Sequence, residues 1–395
     1  MRGTMTNPGV KRLEMLDRYL RESPPATVRA GLEEALQKPD PGPLTRKNDR
    51  DRDRHALPAQ RPSTIIQVAE HAGVSVSTAA RVLRGSELPV AKHVAQRVRA
   101  SAREVGYVPN AAARSLRGTR PGMIGLIVGD MLDSYYGQIA EAITHAAEAQ
   151  HGMLAIVCNM RRDPLLEVKH CRQLWEHRVS GLILAGGGFD QHVCKDELAT
   201  LVQAMQGSGV VVTTLGPRFV DAPSYCVDNR LVGKLAAVHL LEAGHRNVGL
   251  ITGSTRSETA RQRLAGSMEA FAAAGAEAST RHASFVSDSV LAATASLIRE
   301  HPEITAILAG SDSMARTIIA YLGSVGISVP KQISVIGIGN TMAASVTPSL
   351  STVELHLAAC ARAALNCIAH GGQDAAGFAP PEPYIVQGGT VLQLG

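Results

Sequence analysis

The sequence predicts an α/β protein that carries an all-α headpiece near its amino-terminal end. Three observations predict it. Two capped helical patterns are joined by Ala72-Gly73-Val74; beyond Pro121-Gly122, short apolar runs alternate with helix-length patterns. Aromatic residues make up only 3% of the 395-residue chain, so the core must be built from Ala, Val, Leu and Ile, which suits a helix-covered parallel sheet better than an aromatic-rich sandwich. The expected divisions are an extension over 1–62, a helical headpiece over 63–108, a short hinge helix and linker over 109–121, and the α/β domain over 122–395.

The headpiece follows from local chemistry. The Thr64 hydroxyl can cap the first helix while Gln67 reaches back three residues later, a capping box. Ile65, Val68 and Ala69 then share one face, Gly73 supplies the positive φ of a helix end, and Val74 plugs the space between helices. Ser75 caps the second helix. Thr78, Ala79, Val82 and Leu83 are expected to pack inward there, with Val76, Ser77 and Arg81 on the outer face. A third helix is expected from about Ala91 to Val105, burying Val94, Val98 and Ala102, exposing Lys92, Arg97, Arg99 and Arg103, and ending at Gly106. A plain helical hairpin would share the first spacing, but charge favours a helix-turn-helix. Residues 63–120 hold nine Lys/Arg against three Asp/Glu, a net of +6, whereas the whole chain is only +5. A basic surface on this motif points to DNA, with phosphates neutralised by counterion release and the outer face of the second helix entering a major groove.

Residues 1–62 read differently. Pro24-Pro25, the prolines between Pro39 and Pro43, and the mixed-charge run Arg46 to Arg54 leave too little apolar surface to offset chain entropy, so disorder is expected. The segment either adds phosphate contacts or has no role.

After Gly122, strand-like runs fall at Ile124–Val128, Leu154–Val157, Gly181–Leu184, Val210–Thr214, Val248–Ile251, Ala306–Leu308, Ser334–Ile338 and Tyr384–Val386. Helical patterns lie between them, for example over Tyr136–Gln150, Leu165–His177, Leu231–Ala243, Thr259–Ala274, Ser289–Glu300 and Ser313–Gly323. Such alternation means right-handed βαβ crossovers, and the number of runs suits two sheets. The six cysteines show no C-x-x-C spacing and are expected as free thiols. No apolar run reaches the ~18 residues of a membrane span, and the charged stretch Val10 to Glu22 does not resemble a secretory signal. A cytoplasmic location is expected.

Catalytic signals are poor. Gly186-Gly187-Gly188 lacks the Gly-Lys-Ser/Thr that a phosphate loop needs, and the chain has neither His-Glu-x-x-His nor Gly-x-Ser-x-Gly. Its 14 histidines show no zinc-ligand spacing. No enzyme activity, cofactor or metal is expected. A solute-binding protein would fit the α/β domain but not the headpiece or the missing signal.

The third helix is followed by Gly106-Tyr107-Val108-Pro109-Asn110 and by the alanine-rich segment Ala111 to Gly118. This order of parts resembles the lactose-repressor/galactose-repressor (LacI/GalR) family. The resemblance continues through Ile124-Gly125-Leu126-Ile127-Val128, Val227-Asp228-Asn229, Gly244-His245-Arg246, Arg261 to Gly266, Ser311-Asp312-Ser313-Met314-Ala315 and Leu350-Ser351-Thr352-Val353. It implies a periplasmic-binding-protein-like effector domain of two α/β subdomains. It also implies a homodimeric, sequence-specific transcription regulator, a repressor, that binds a pseudo-palindromic operator and answers to a small polar effector of the sugar or nucleobase class.

For DNA contact the resemblance and the helix faces together single out Thr64, Ser75, Val76, Ser77, Thr78, Arg81, Arg84, Tyr107, Asn110, Ala113, Arg114 and Leu116, the last as a wedge in the minor groove. For the effector the resemblance points to Asp133, Tyr135, Arg218, Arg263, Phe285 and Asp312. Several positions depart from the family pattern. Asp133-Ser134-Tyr135-Tyr136 stands for Asn-Pro-Phe-Phe, Gly337-Ile338-Gly339-Asn340 for Gly-Phe-Asp-Asp, and Arg218 is displaced from its usual place. In the headpiece, Ala80 replaces a serine and Arg84 an asparagine.

Overall fold

The computed structural model describes residues 63–84, 90–108, 122–188, 192–284, 286–373 and 377–394. The readings of 1–62 as disordered and of 109–121 as a hinge lie outside the described residues. The described chain forms two compact units, the headpiece and the α/β domain.

In the headpiece, α1 (Ile65–Ala72), α2 (Val76–Arg84) and α3 (Lys92–Glu104) enclose a small core of Val68, Ala69, Ala72, Ala79, Val82, Val98 and Ala102. Thr64 and Gln67 form the reciprocal capping box, and Gly73 closes α1 in the left-handed region at φ 59°. Ser75 Oγ accepts from Thr78 N–H at 3.2 Å and so caps α2. Arg97 is exposed, as its place on the basic face requires. Its Nε nevertheless donates to the Ala72 carbonyl at 2.8 Å, tying α3 to the carbonyl end of α1.

The α/β domain has two lobes. The first holds β1 (Met123–Val128), α4 (Ser134–His151), β2 (Leu154–Asn159), α5 (Pro164–Glu176), β3 (Gly181–Ala185), α6 (His192–Gly207) and β4 (Val211–Leu215), in a parallel sheet of order β2-β1-β3-β4. The second holds α7 (Asn229–Glu242), β5 (Asn247–Thr252), α8 (Glu258–Ala273), β6 (Glu277–His282), α9 (Ser287–Glu300), β7 (Ala306–Ala309), α10 (Asp312–Ser324), β8 (Ser334–Gly339) and β9 (Ser351–Glu354). After β9 the chain returns to the first lobe as α11 (Leu357–Ala369), which packs on α4 and β4, and then comes back as β10 (Tyr384–Val386), antiparallel to β9. The second sheet runs β10-β9-β8-β7-β5-β6. Three crossovers therefore join the lobes.

Strand residues alternate between cores on the two faces. Ile124, Leu126 and Val128 of β1 face α4 and α11, while Ile127 faces the α5 side with Leu182 and Leu184. Burial on both faces is what made these strands read as apolar runs.

Two strands escape that pattern. β6 is an edge strand of Glu-Ala-Ser-Thr-Arg-His, bonded only to β5, and needs no apolar run. β9 buries Ser351, Thr352 and Val353, with its hydroxyls satisfied by neighbouring polar groups. All six cysteines are free. Among the described residues no helix is long and apolar enough to cross a membrane, and no group of His, Cys, Asp or Glu is arranged to hold a metal ion.

Candidate functional site

The outer face of α2 begins with a cluster of hydroxyls. Ser75 Oγ lies 2.9 Å from both Ser77 Oγ and Thr78 Oγ1. Beside them Val76 is 44% exposed, an unpaid apolar surface on a helix this short, and Ser77 and Arg81 are exposed with it. Ala80, the departure from the usual serine, is buried instead. Thr64 is exposed but engaged in its capping box; Tyr107 is half-buried against the headpiece core. The side chain of Arg84, and Asn110, Ala113, Arg114 and Leu116, lie outside the described residues.

In the α/β domain a cleft of about 680 Å³ opens between the lobes, at the carboxyl ends of the strands. Helices α4, α8 and α10 all start at its wall, where Asp133, Ser257 and Ser311 accept from their first-turn N–H groups. Each such start presents a partial positive charge.

The lobes touch across the cleft. Ser134 Oγ lies 2.8 Å from Thr341 Oγ1, Ser313 Oγ donates to Asp133 Oδ1 at 3.1 Å, and Glu258 N–H donates to the Gly188 carbonyl at 3.2 Å. These are the contacts that opening would break.

Of the six residues expected at the effector, three line the cleft: Asp133, Tyr135 and Arg263. Asp133 Oδ2 accepts from Arg162 Nη2 at 2.7 Å. Arg263 Nε donates to Asn229 Oδ1 and Nη1 to the Gly310 carbonyl, both at 3.0 Å. Burial pushes the Tyr135 phenol well above its ordinary range and lowers Arg263 from its own.

Arg263 is held there by a close helix crossing. Gly233 of α7 and Gly266 of α8 let the two backbones touch, and Ser267 Oγ donates to the Gly233 carbonyl at 2.9 Å across the contact.

Two of the remaining three are placed elsewhere. Arg218 is not free for a ligand: its guanidinium is buried against Glu167, and its Nε and Nη2 donate to the carbonyls of Gly186 and Ala185 at 3.0 and 2.8 Å. A cation this deep needs an anion beside it, and Glu167 from α5 supplies one. Asp312 is 1% exposed and turned into the second lobe. Its Oδ1 accepts from Thr352 Oγ1 at 2.5 Å and its Oδ2 from the N–H groups of Thr341 and Met342 at 2.7 and 3.3 Å, although burial still raises its pKa. Phe285 lies outside the described residues.

Sequence reasoning missed Arg162, Thr259 and Asn229. Arg162 sits just past β2 in a left-handed conformation, φ 56°, 5.5 Å from the centre of the Tyr136 ring. A cation in a loop after a parallel strand was the available signal.

A helix-turn-helix headpiece followed by a two-lobed α/β domain with its cleft at the strand ends defines a class of ligand-responsive regulators. Comparison with known proteins gives the family. Residues 64–110 match "Bacterial regulatory proteins, lacI family", and residues 121–370 match "Periplasmic binding proteins and sugar binding domain of LacI family". The chain belongs to the LacI family and is a DNA-binding transcription regulator. The transcriptional regulator GalR of Escherichia coli is 31% identical over 74% of this chain and 84% of its own, and DegA of Bacillus subtilis is 30% identical over 74% and 86%. The repressor PurR of Pectobacterium carotovorum is 30% identical over 74% and 85%. All three relatives are HTH-type regulators or repressors of transcription. Among solved structures, the lac repressor dimer bound to operator and an anti-inducer superposes with a TM-score of 0.72 at 25% identity, covering 84% of this chain and all of the other. A complex of the regulator CelR with cellobiose gives 0.58 at 25% identity, with the same coverage.

Proposed function

We propose that the chain acts in the cytoplasm as a homodimeric repressor whose grip on a pseudo-palindromic operator is set by a small polar effector held between the two lobes. The observation that carries this reading is the cleft itself: polar groups from both lobes meet around Arg263, in a domain joined to a DNA-reading headpiece. A ligand shifts DNA affinity only through different affinities for two conformations. The three crossovers let the lobes hinge, and opening would break the cross-cleft hydrogen bonds, so an open and a closed form are the two states such a ligand would choose between. Relatives that are repressors, and a lac repressor dimer bound to operator, support the DNA side.

On that side, Ser77 and Arg81 read base edges and Val76 makes an apolar contact. Thr64, Ser75, Thr78, Arg84 and Tyr107 position the headpiece on phosphates, and Asn110, Ala113, Arg114 and Leu116 continue the contact through the minor groove. Two-fold operators require two headpieces, so loss of the dimer abolishes specific binding.

Selection from a randomised operator library, followed by titration, tests the reading. Arg81→Ala is expected to cost about 1 to 3 kcal/mol on the selected site and much less on random DNA. Equal losses on both would reduce Arg81 to a phosphate contact, and a chain that enriches no site would refute sequence-specific binding.

A further inference from the structure

The charges that line the cleft do not balance. Two guanidinium groups, Arg162 and Arg263, face a single lining carboxylate, Asp133. That carboxylate is fully used: Arg162 takes one oxygen, and Ser313 Oγ and the Tyr135 N–H share the other at 3.1 Å each. Arg263 therefore has only neutral hydrogen-bond partners, the Asn229 amide and the Gly310 carbonyl. Its Nη2 donates to no acceptor among the described residues, and no ion pair reaches it there.

The Asp312 carboxylate favours the Arg263 charge from a distance but makes no ion pair with it. Its oxygens instead accept from Thr352, Thr341 and Met342, and it does not line the cleft. Burial of Arg263, which lowers its pKa, makes a cation without an ion pair costly there. The starts of α4, α8 and α10 add positive potential at the same place. A second unsatisfied group lies beside Arg263: Thr259 Oγ1 is buried without a hydrogen-bond partner and lines the cleft.

We propose that the cleft takes a hydroxylated carboxylic acid, a sugar acid in chemical class, with its carboxylate on Arg263 and a hydroxyl on Thr259. One guanidinium without an ion pair matches one carboxylate, and the planar fork of arginine suits that group better than a neutral hydroxyl. A neutral sugar would leave the charge as unbalanced as it is without ligand. The assignment rests on the reading that this cleft is the effector site.

Matched pairs test it on the full chain: glycerate against glycerol and gluconate against sorbitol, at constant ionic strength, by thermal shift and calorimetric titration. Each acid is expected to bind about ten-fold more tightly than its polyol, the difference between a charged and a neutral hydrogen bond. Arg263→Gln is expected to erase that preference and Arg263→Lys to keep part of it. Equal binding of acid and polyol, no binding of either acid, or a preference that survives Arg263→Gln overturns the proposal. So does glucose 6-phosphate, if it binds more tightly than both acids through Arg263. The two readings separate on the operator. If neutral sugars change operator affinity and acids do not, the carboxylate assignment falls and the effector cleft stands. If acids bind through Arg263 yet never change operator affinity, the cleft chemistry stands and the effector reading falls.

Discussion

Alanine at Gly233 or Gly266 tests whether the crossing of α7 and α8 is what holds Arg263 in the cleft. A Cβ on Gly233 would fall 2.7 Å from the carbonyl carbon and 2.9 Å from the Cα of Arg263, and nearer still to its carbonyl oxygen. A Cβ on Gly266 would fall 2.8 Å from the Arg230 carbonyl carbon and 3.1 Å from Lys234 N. All of these are backbone atoms that no rotamer change can move aside, so the helices must separate by about 1 Å. Overpacking against backbone that cannot move aside takes the upper part of the usual range, about 2 to 3 kcal/mol, and the better helix propensity of alanine offsets about 1. The net loss is about 1 to 2 kcal/mol. In a domain of this size that lowers the melting temperature by roughly 2 to 4 °C. Separation also carries Arg263 away from Asn229, so ligand affinity should fall together with stability. Gly323→Ala is the control, because nothing lies within 4 Å of a Cβ placed there, near the end of α10. It should leave the melting temperature unchanged or raise it. If Gly233→Ala and Gly266→Ala melt at or above the wild type, as Gly323→Ala should, the close-crossing argument is wrong.

Glu167→Gln should destabilise the first lobe by about 3 kcal/mol, because it leaves the Arg218 charge buried without its anion; an unchanged urea midpoint would show that the two carbonyls alone hold that guanidinium. His245 is buried with Nδ1 2.9 Å from Thr305 Oγ1, and burial lowers its pKa, as it does that of His239. The unfolded chain then takes up protons that the folded chain refuses, so stability is greatest above about pH 6.5 and falls as pH drops below it. His245→Gln should flatten that fall in melting scans between about pH 7 and 5.5. An undiminished slope would remove His245 as its source.

What the sequence discloses and what it hides divide along the range of the interactions involved. The headpiece was legible because its boundaries are written within a turn of one another: Thr64 with Gln67, Gly73 at the left-handed end, Ser75 under Thr78. The inner strands were legible because burial on both faces leaves almost no polar residue in them. β6 was not, since an edge strand bonded on one side tolerates Glu277, Arg281 and His282. The cleft shows the same division. Asp133 and Tyr135 belong to a loop directly after a strand, where any such sheet places its ligand groups, and Arg263 lies one turn into a helix that starts there. Arg218 and Asp312 lie in equally suitable positions, yet each is diverted by a residue far along the chain, Glu167 in one case and Thr352 in the other. No local pattern announces such a partner. The same two diversions shape the chemistry of the cleft, because they remove a cation that would have lined it and a carboxylate that would have paired directly with Arg263. The family pattern points to six residues, of which Asp133, Tyr135 and Arg263 line this cleft, but the long-range pairings of this chain set how much charge remains there for a ligand to meet.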